Sequence, residues 1–216
     1  MSNQYDKTLK CESISLPEPS LKGEMTILKA LQLRRTERNI SSQKIPLKVL
    51  SNLLWAAFGI NRKGSRLGRT APSASNSQEI DLYIVLREGV YLYDAQHHIL
   101  KPIKTGDYRE MSGRGSAARK IGVAPVNIIY VADLSRYDLG PNQPDPHIGD
   151  PEVQKSYYYT DTGFIAQNVY LYAASEGLAA WFHNCPKATI AKELRLRNDQ
   201  LVLFAHTVGY PENRRS

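Results

Sequence analysis

The stretch PVNIIYVAD, from Pro125 to Asp133, constrains this chain most. It is almost wholly apolar and too short for an amphipathic helix, so it reads as a buried strand. Such a strand keeps no face for water, so other elements have to cover it. The candidates lie on both sides in sequence. IDLYIVL (80–86) alternates apolar and polar residues. GVYLYDAQHHILKPI reads as two short strands joined by DAQHH, with His97 and His98 in a solvated turn. AAWF is a further short strand, and QLVLFAHTVGYP is the last one.

Helical spacing marks the remaining segments. Apolar residues at 27, 28, 31 and 33 predict a helix over 25–36, which places Arg34 and Arg38 on one face. A second helix, IPLKVLSNLLWAAFGI, has Pro46 at its start and Gly59 at its end. A central helix falls in TDTGFIAQNVYLYAASEGL, with Thr160 or Asp161 as its cap and Gly177 as its stop. PKATIAKELRL is a last helix. Residues 61–79 read as a polar loop, 106–124 as polar and partly helical, and 134–159 as a long excursion rich in Pro, Gly and Asp. The order predicts an α+β fold, with helices packed on a mostly antiparallel sheet. One domain spans 25–216, preceded by an extended N-terminal arm over 1–24.

The chain's 216 residues suffice for a core without disulfide or metal staples. Two cysteines, Cys11 and Cys185, are too few for a disulfide scaffold, and no secretory h-region is visible at the start. The expected location is cytoplasmic. A net charge of +7 admits phosphate-bearing ligands, nucleic acid or an anionic surface as partners. Thirteen Tyr against four Phe suit ligand pockets and interfaces, where a stacking face with a polar tip is useful.

Several segments could carry chemistry. LRRTER places Arg34, Arg35, Thr36 and Arg38 together, and guanidinium forks match phosphate oxygens. The same cations in a last helical turn would also complement the helix dipole. PSASNSQ sets Pro72, Ser73, Ala74, Asn76 and Gln78 before a strand. It reads as a capped turn, or as a small polar wall whose Asn76 amide reads the edge of a flat ring. The tail GYPENRRS supplies Arg214 and Arg215, as a solvated end or as returning phosphate ligands. GRGSAA follows no strand and is no dinucleotide fingerprint. DPHIGDPE, with Asp145, His147, Asp150 and Glu152, reads as a polar loop before it reads as a metal site. Cys185 lacks an evident activating base beyond His183.

In order and spacing these motifs resemble the nitroreductase family of flavin enzymes. The family's Arg-Arg-Ser motif is here RRTER, its Pro-Ser-x-x-Asn-x-Gln loop is PSASNSQ, and its central helix and terminal Gly-Tyr-Pro are present. The hairpin GVYLYDAQHHILKPI is similar to that of the branch that oxidises azoline rings to thiazoles and oxazoles, although SNSQEI replaces that branch's Gly-x-x-Tyr-Pro.

The resemblance implies a homodimer with FMN at the subunit interface and NADH or NADPH as electron donor. It implies that Arg34, Thr36 and Arg38, with Arg35 beside them, hold the phosphate, ribityl and ring oxygens. Pro72, Ser73, Ala74, Asn76 and Gln78 of the other subunit would line the ring, and Phe182, His183 and Asn184 would lie against it. Lys120 and Arg214 or Arg215 would complete the site. The implied activity is hydride transfer to a nitroaromatic or quinone, with azoline oxidation as the alternative. A basic nucleic-acid-binding module, built on RRTER and NRKGSRLGRT, is the competing class.

Overall fold

The computed structural model describes residues 11–64, 67–138 and 145–212. Seven strands form one sheet in which every neighbouring pair is antiparallel. They are β1 (Ile14–Ser15), β4 (Ile80–Val85), β5 (Gly89–Asp94), β6 (Ile99–Thr105), β7 (Val126–Asp133), β8 (Ala179–His183) and β9 (Gln200–Gly209). Their order is β1-β6-β5-β4-β7-β9-β8, with β2 (Ile60–Arg62) and β3 (Gly68–Arg69) as a separate hairpin. The expected fold class is therefore found.

β7 lies near the middle of the sheet, flanked by β4 and β9. Its side chains alternate between two cores. Ile128 and Tyr130 join Leu53, Leu54, Ile165 and Val169, which belong to α2 (Leu47–Phe58) and α4 (Pro151–Ser175). Ile129 and Val131 join Ile190 and Leu194 of α5 (Lys187–Leu194) on the other face. A strand with no exposed side thus becomes the middle layer of three. Residues 14–15 of the N-terminal arm extend the sheet by pairing with Leu100 and Ile99.

Local signals explain most of the boundaries. Pro46 precedes α2, and Gly59 ends it by donating its N–H to Trp55 O at 2.8 Å. A Cβ at Gly59 would lie 2.4 Å from the Trp55 ring, so a side chain there has no room. Gly177 closes α4 at φ +66°, a conformation that costs glycine least.

Three expectations fail. α1 spans Ile27–Leu33 only, and Arg34 leaves it at ψ 124°. Arg34 and Arg38 therefore lie on an extended segment and not on one helical face, and no basic residue occupies the last turn of α1. α4 begins nine residues before Thr160. Asp150 accepts from the Glu152 N–H at 2.9 Å and Pro151 takes the first turn. The first turns of α4 escaped the periodicity because Glu152, Gln154, Lys155 and Ser156 offer no apolar stripe. His98 is also not a solvated turn residue: its ring bonds Ser51 Oγ at 2.8 Å and Tyr93 Oη at 3.0 Å.

Ile165 is fully buried where α4 meets the sheet. Ile165→Ala is expected to destabilise the fold by about 2–5 kcal/mol, read as a lower urea midpoint at an unchanged slope.

Candidate functional site

The segment after α1 is bound to the edge of the sheet. Glu37 donates its N–H to Ala180 O of β8 at 3.0 Å, and Ile40 bridges Pro211. Glu212 N–H reaches Asn39 O at 2.9 Å. The Tyr170 hydroxyl of α4 fastens this segment from behind. It accepts the Phe182 N–H at 2.9 Å and shares a second hydrogen bond of 2.9 Å with Thr36 Oγ1. One phenol thus ties the basic segment to the end of β8.

The cations here are held by rings. The Arg34 guanidinium lies 5.6 Å from the Tyr170 ring centroid, and that of Arg38 lies 5.7 Å from the Trp181 ring. Arg35 sits 3.8 Å from Glu37. Among the described residues, neither Arg34 nor Arg38 forms an ion pair. Lys120 joins the group through Asn39, whose side-chain oxygen accepts from its ammonium at 2.7 Å. A cavity of about 200 Å³ opens beside this segment, lined in part by Leu33, Arg35, Glu37, Tyr170, Ala180 and Pro211. Arg214 and Arg215 lie outside the described residues; the chain is followed to Glu212, beside Asn39.

The loop Pro72–Gln78 lies elsewhere on α4. Ala74 N–H donates to Asp161 Oδ2 at 2.9 Å. Asp161 and Tyr170 are nine residues apart, or about 13 Å along a helix axis. Within one chain, the two loops thus meet the same helix at separate places. The loop is strained: Ser75, Asn76 and Gln78 have φ of 52°, 52° and 53°. Such left-handed residues cost on the order of 1–3 kcal/mol each and persist where their surroundings hold them.

A dense set of polar contacts supplies that hold. Gln78 N–H donates to Ser73 Oγ at 3.0 Å, and the Gln78 amide donates to Leu67 O and to Asn76 Oδ1. Arg69 Nε donates back to Gln78 Oε1 at 2.7 Å. Gln78 is thus a brace of the loop. Arg69 points inward, stacked 4.5 Å from the Phe58 ring centroid, so one cation of the would-be nucleic-acid patch is absorbed by the fold.

Phe182, His183 and Asn184 form the end of β8 and its exit. Phe182 packs edge-on against His206, its partner on β9. Burial pushes His206 down to about 3, so it stays neutral, and its Nε2 finds no partner among the described residues. Burial also lowers the pKa of His183, whose ring bonds Thr207 Oγ1 at 2.9 Å. Cys185 is buried, and burial pushes its thiol up to about 11, which removes it as a nucleophile at neutral pH. Tyr91 and Tyr93, which suggested the azoline branch, are core residues, and Asp94 accepts from the backbone of Gln96 and His97 in the hairpin turn.

The sequence reading missed Tyr170 and Trp181, and it took Asp161 only as a possible helix cap. Tyr abundance was its one pointer to Tyr170. Nothing in a single sequence pairs Asp161 with Ala74, 87 residues away.

Tyr170→Phe removes the hydroxyl that the Phe182 N–H donates to. It is expected to cost about 1–3 kcal/mol and to speed hydrogen exchange at the Phe182 amide, measured by NMR. In the folded protein Cys185 is expected to resist alkylation at pH 8, about three units below its pKa, and to react after unfolding.

Comparisons with known proteins bear on the family and the fold. The family model described as "Nitroreductase family" matches residues 31–210. A Methanocaldococcus jannaschii protein named as a candidate nitroreductase is 30% identical over 173 residues, covering 76% of this chain and 80% of that one. The crystal structure of a candidate nitroreductase from Ralstonia eutropha superposes with a TM-score of 0.82 at 33% identity, covering 96% of this chain and 92% of that one. A Parabacteroides distasonis protein, named as a candidate NADH dehydrogenase/NAD(P)H nitroreductase, shares the fold at a TM-score of 0.58 and 18% identity, over 89% and 91% of the two chains. The chain is a member of the nitroreductase family and, with it, an oxidoreductase.

Proposed function

We propose that the protein is an FMN-dependent oxidoreductase that uses NADH or NADPH to reduce an organic acceptor such as a nitroaromatic or quinone. The observation that carries this reading is the pair of guanidiniums, Arg34 and Arg38, held on aromatic rings at the end of β8 with no ion-pair partner among the described residues. Cations presented in this way suit a phosphate dianion. Arg35, Thr36 and Lys120 extend the same surface toward the ribityl chain, and Arg214 or Arg215 would complete it.

The Phe182 N–H is committed to Tyr170, so contact with the ring falls to the backbone of His183 and Asn184. FMN, when bound, supplies the hydride-carrying ring. The protein supplies position and positive charge, which stabilises an anionic reduced ring. No acid–base dyad is required of this chain. The absence of a reactive thiol at Cys185 is compatible with that division of labour.

A second copy completes the site. The cavity beside the basic segment is smaller than the roughly 300–1,000 Å³ of ligand pockets, which suits a site that a second subunit closes. α1 leaves Ile27, Leu28, Leu31 and Leu33 exposed, and Phe164 of α4 is 45% exposed. Exposed apolar side chains on these two helices favour a partner. A homodimer would cover that face and bring the strained 72–78 loop, with Pro72, Ser73, Ala74 and Asn76, to the other subunit's ring site. No helix among the described residues is long and apolar enough to cross a membrane, and a cytoplasmic setting suits the two free cysteines.

Purified protein is expected to be yellow, to release FMN on denaturation and to run at twice its 24.3 kDa chain mass. Anaerobic NADH or NADPH should bleach it. Bleaching by neither, with reduction by an azoline peptide instead, would favour the azoline dehydrogenase. Colourless protein that takes up no FMN and binds nucleic acid in a salt-dependent way would favour the nucleic-acid module. Arg34→Ala is expected to weaken FMN by about 1–3 kcal/mol and to leave riboflavin affinity unchanged. Asn76→Ala is expected to lower flavin affinity or shift its potential with the fold intact, checked by fluorescence titration.

A further inference from the structure

We infer that Glu79 and Asp161 form a shared-proton clamp that fixes the strained 74–78 loop, so that the loop loosens when the proton leaves. Both residues are buried, at 0% and 4% exposure. Each holds a different part of the loop. Asp161 Oδ2 accepts the Ala74 N–H at 2.9 Å, and Glu79 Oε2 accepts the Ser77 hydroxyl at 2.6 Å. The two side chains lie beside each other beneath the loop.

Two ionised carboxylates side by side cannot hydrogen-bond to each other, because neither carries a donor. The structure records the deficit directly: Glu79 Oε1 is buried with no hydrogen-bond partner among the described residues. A proton on Asp161 supplies the missing donor. Asp161 then donates to Glu79 while still accepting from Ala74, and both carboxyls are satisfied.

The surroundings offer no cation to do this instead. Arg136 is engaged by Gln78 O and by Asp81, at 2.7 and 2.6 Å, and its Nε lies 3.9 Å from Asp133. Arg69 is engaged by Gln78 Oε1 and Phe58 O. Among the described residues neither forms an ion pair with Glu79 or Asp161. The remaining titratable neighbours are tyrosines. Tyr137 bonds Gln154 O at 3.3 Å and also touches Glu79; Tyr157 and Tyr158 come from α4, and Tyr157 is bonded to Asp145. Burial, with Glu79 beside it, pushes the Asp161 carboxyl up to about 7.

The clamp stands on the geometry of one chain. Its effect on cofactor binding rests on the proposed reading of this loop as the wall of the flavin ring. The raised carboxyl fixes the sign of the pH effect. From about pH 4 to pH 7 the folded state holds a proton that the unfolded chain lacks. Stability therefore falls as pH rises through this window and levels off above it.

The first measurement is thermal unfolding of flavin-free protein from about pH 5 to pH 9. Wild type should lose stability with rising pH, relative to Asp161→Asn, whose amide permanently mimics the protonated acid. Glu79→Gln, which provides a donor of its own, should likewise flatten the profile. The second is FMN affinity over the same range by fluorescence quenching. The wild-type Kd should rise by up to about tenfold per pH unit above 7 relative to Asp161→Asn, which controls for titration of the cofactor. Identical stability profiles in wild type and Asp161→Asn would overturn the clamp. Distinct stability profiles with identical FMN profiles would remove its role in binding. No FMN binding at any pH, with the stability difference intact, would refute the flavin reading and leave the clamp standing.

Discussion

Burial of β7 on both faces is the constraint from which the rest of this structure follows. Its odd and even side chains need separate apolar partners, and a single layer of helices supplies only one set. α5 closes one face, and α2 with α4 closes the other. At 25 residues α4 is long enough to reach two distant loops while covering the sheet. The same helix that completes the core therefore also places Asp161 under one loop and Tyr170 under another.

The two loops are held by different physics. The 34–38 segment is an edge addition, kept by a backbone bond to Ala180, a tyrosine hydroxyl and ring-stacked guanidiniums. Its cations remain exposed enough to meet an anion. The 72–78 loop is instead a strained turn held by local hydrogen bonds and by two from far away in sequence, to Asp161 and from Arg136. Strain of this kind presents backbone and short side chains in a fixed arrangement, which suits a flat ligand that tolerates little misplacement.

The element types were legible because periodicity reports burial. β4, β7, α2 and α5 lie where alternation, apolar runs and the Pro46 and Gly59 signals put them. The errors have equally specific causes. α1 stops early because its segment from Arg34 gains a backbone bond to β8, which outweighs the helical tendency of LRRTER. α4 starts early because the Asp150 cap and Pro151 begin a helix whose first turns are mostly polar and carry no stripe. His98 is drawn inward by Ser51 and Tyr93, and no turn rule foresees those partners.

By itself the sequence determined the layers, the family motifs and the basic and polar segments that could bind a phosphate and a ring. Those properties depend on residue type and local spacing. Only the tertiary structure decided which segments meet. It brought Thr36 to Tyr170, Lys120 to Asn39 and Asp161 to both Ala74 and Glu79. It also kept the 72–78 loop apart from 34–38 along α4. The physical reason is that a hydrogen bond across 87 or 134 residues is fixed by how the helices pack on the sheet, and local sequence carries no record of that packing.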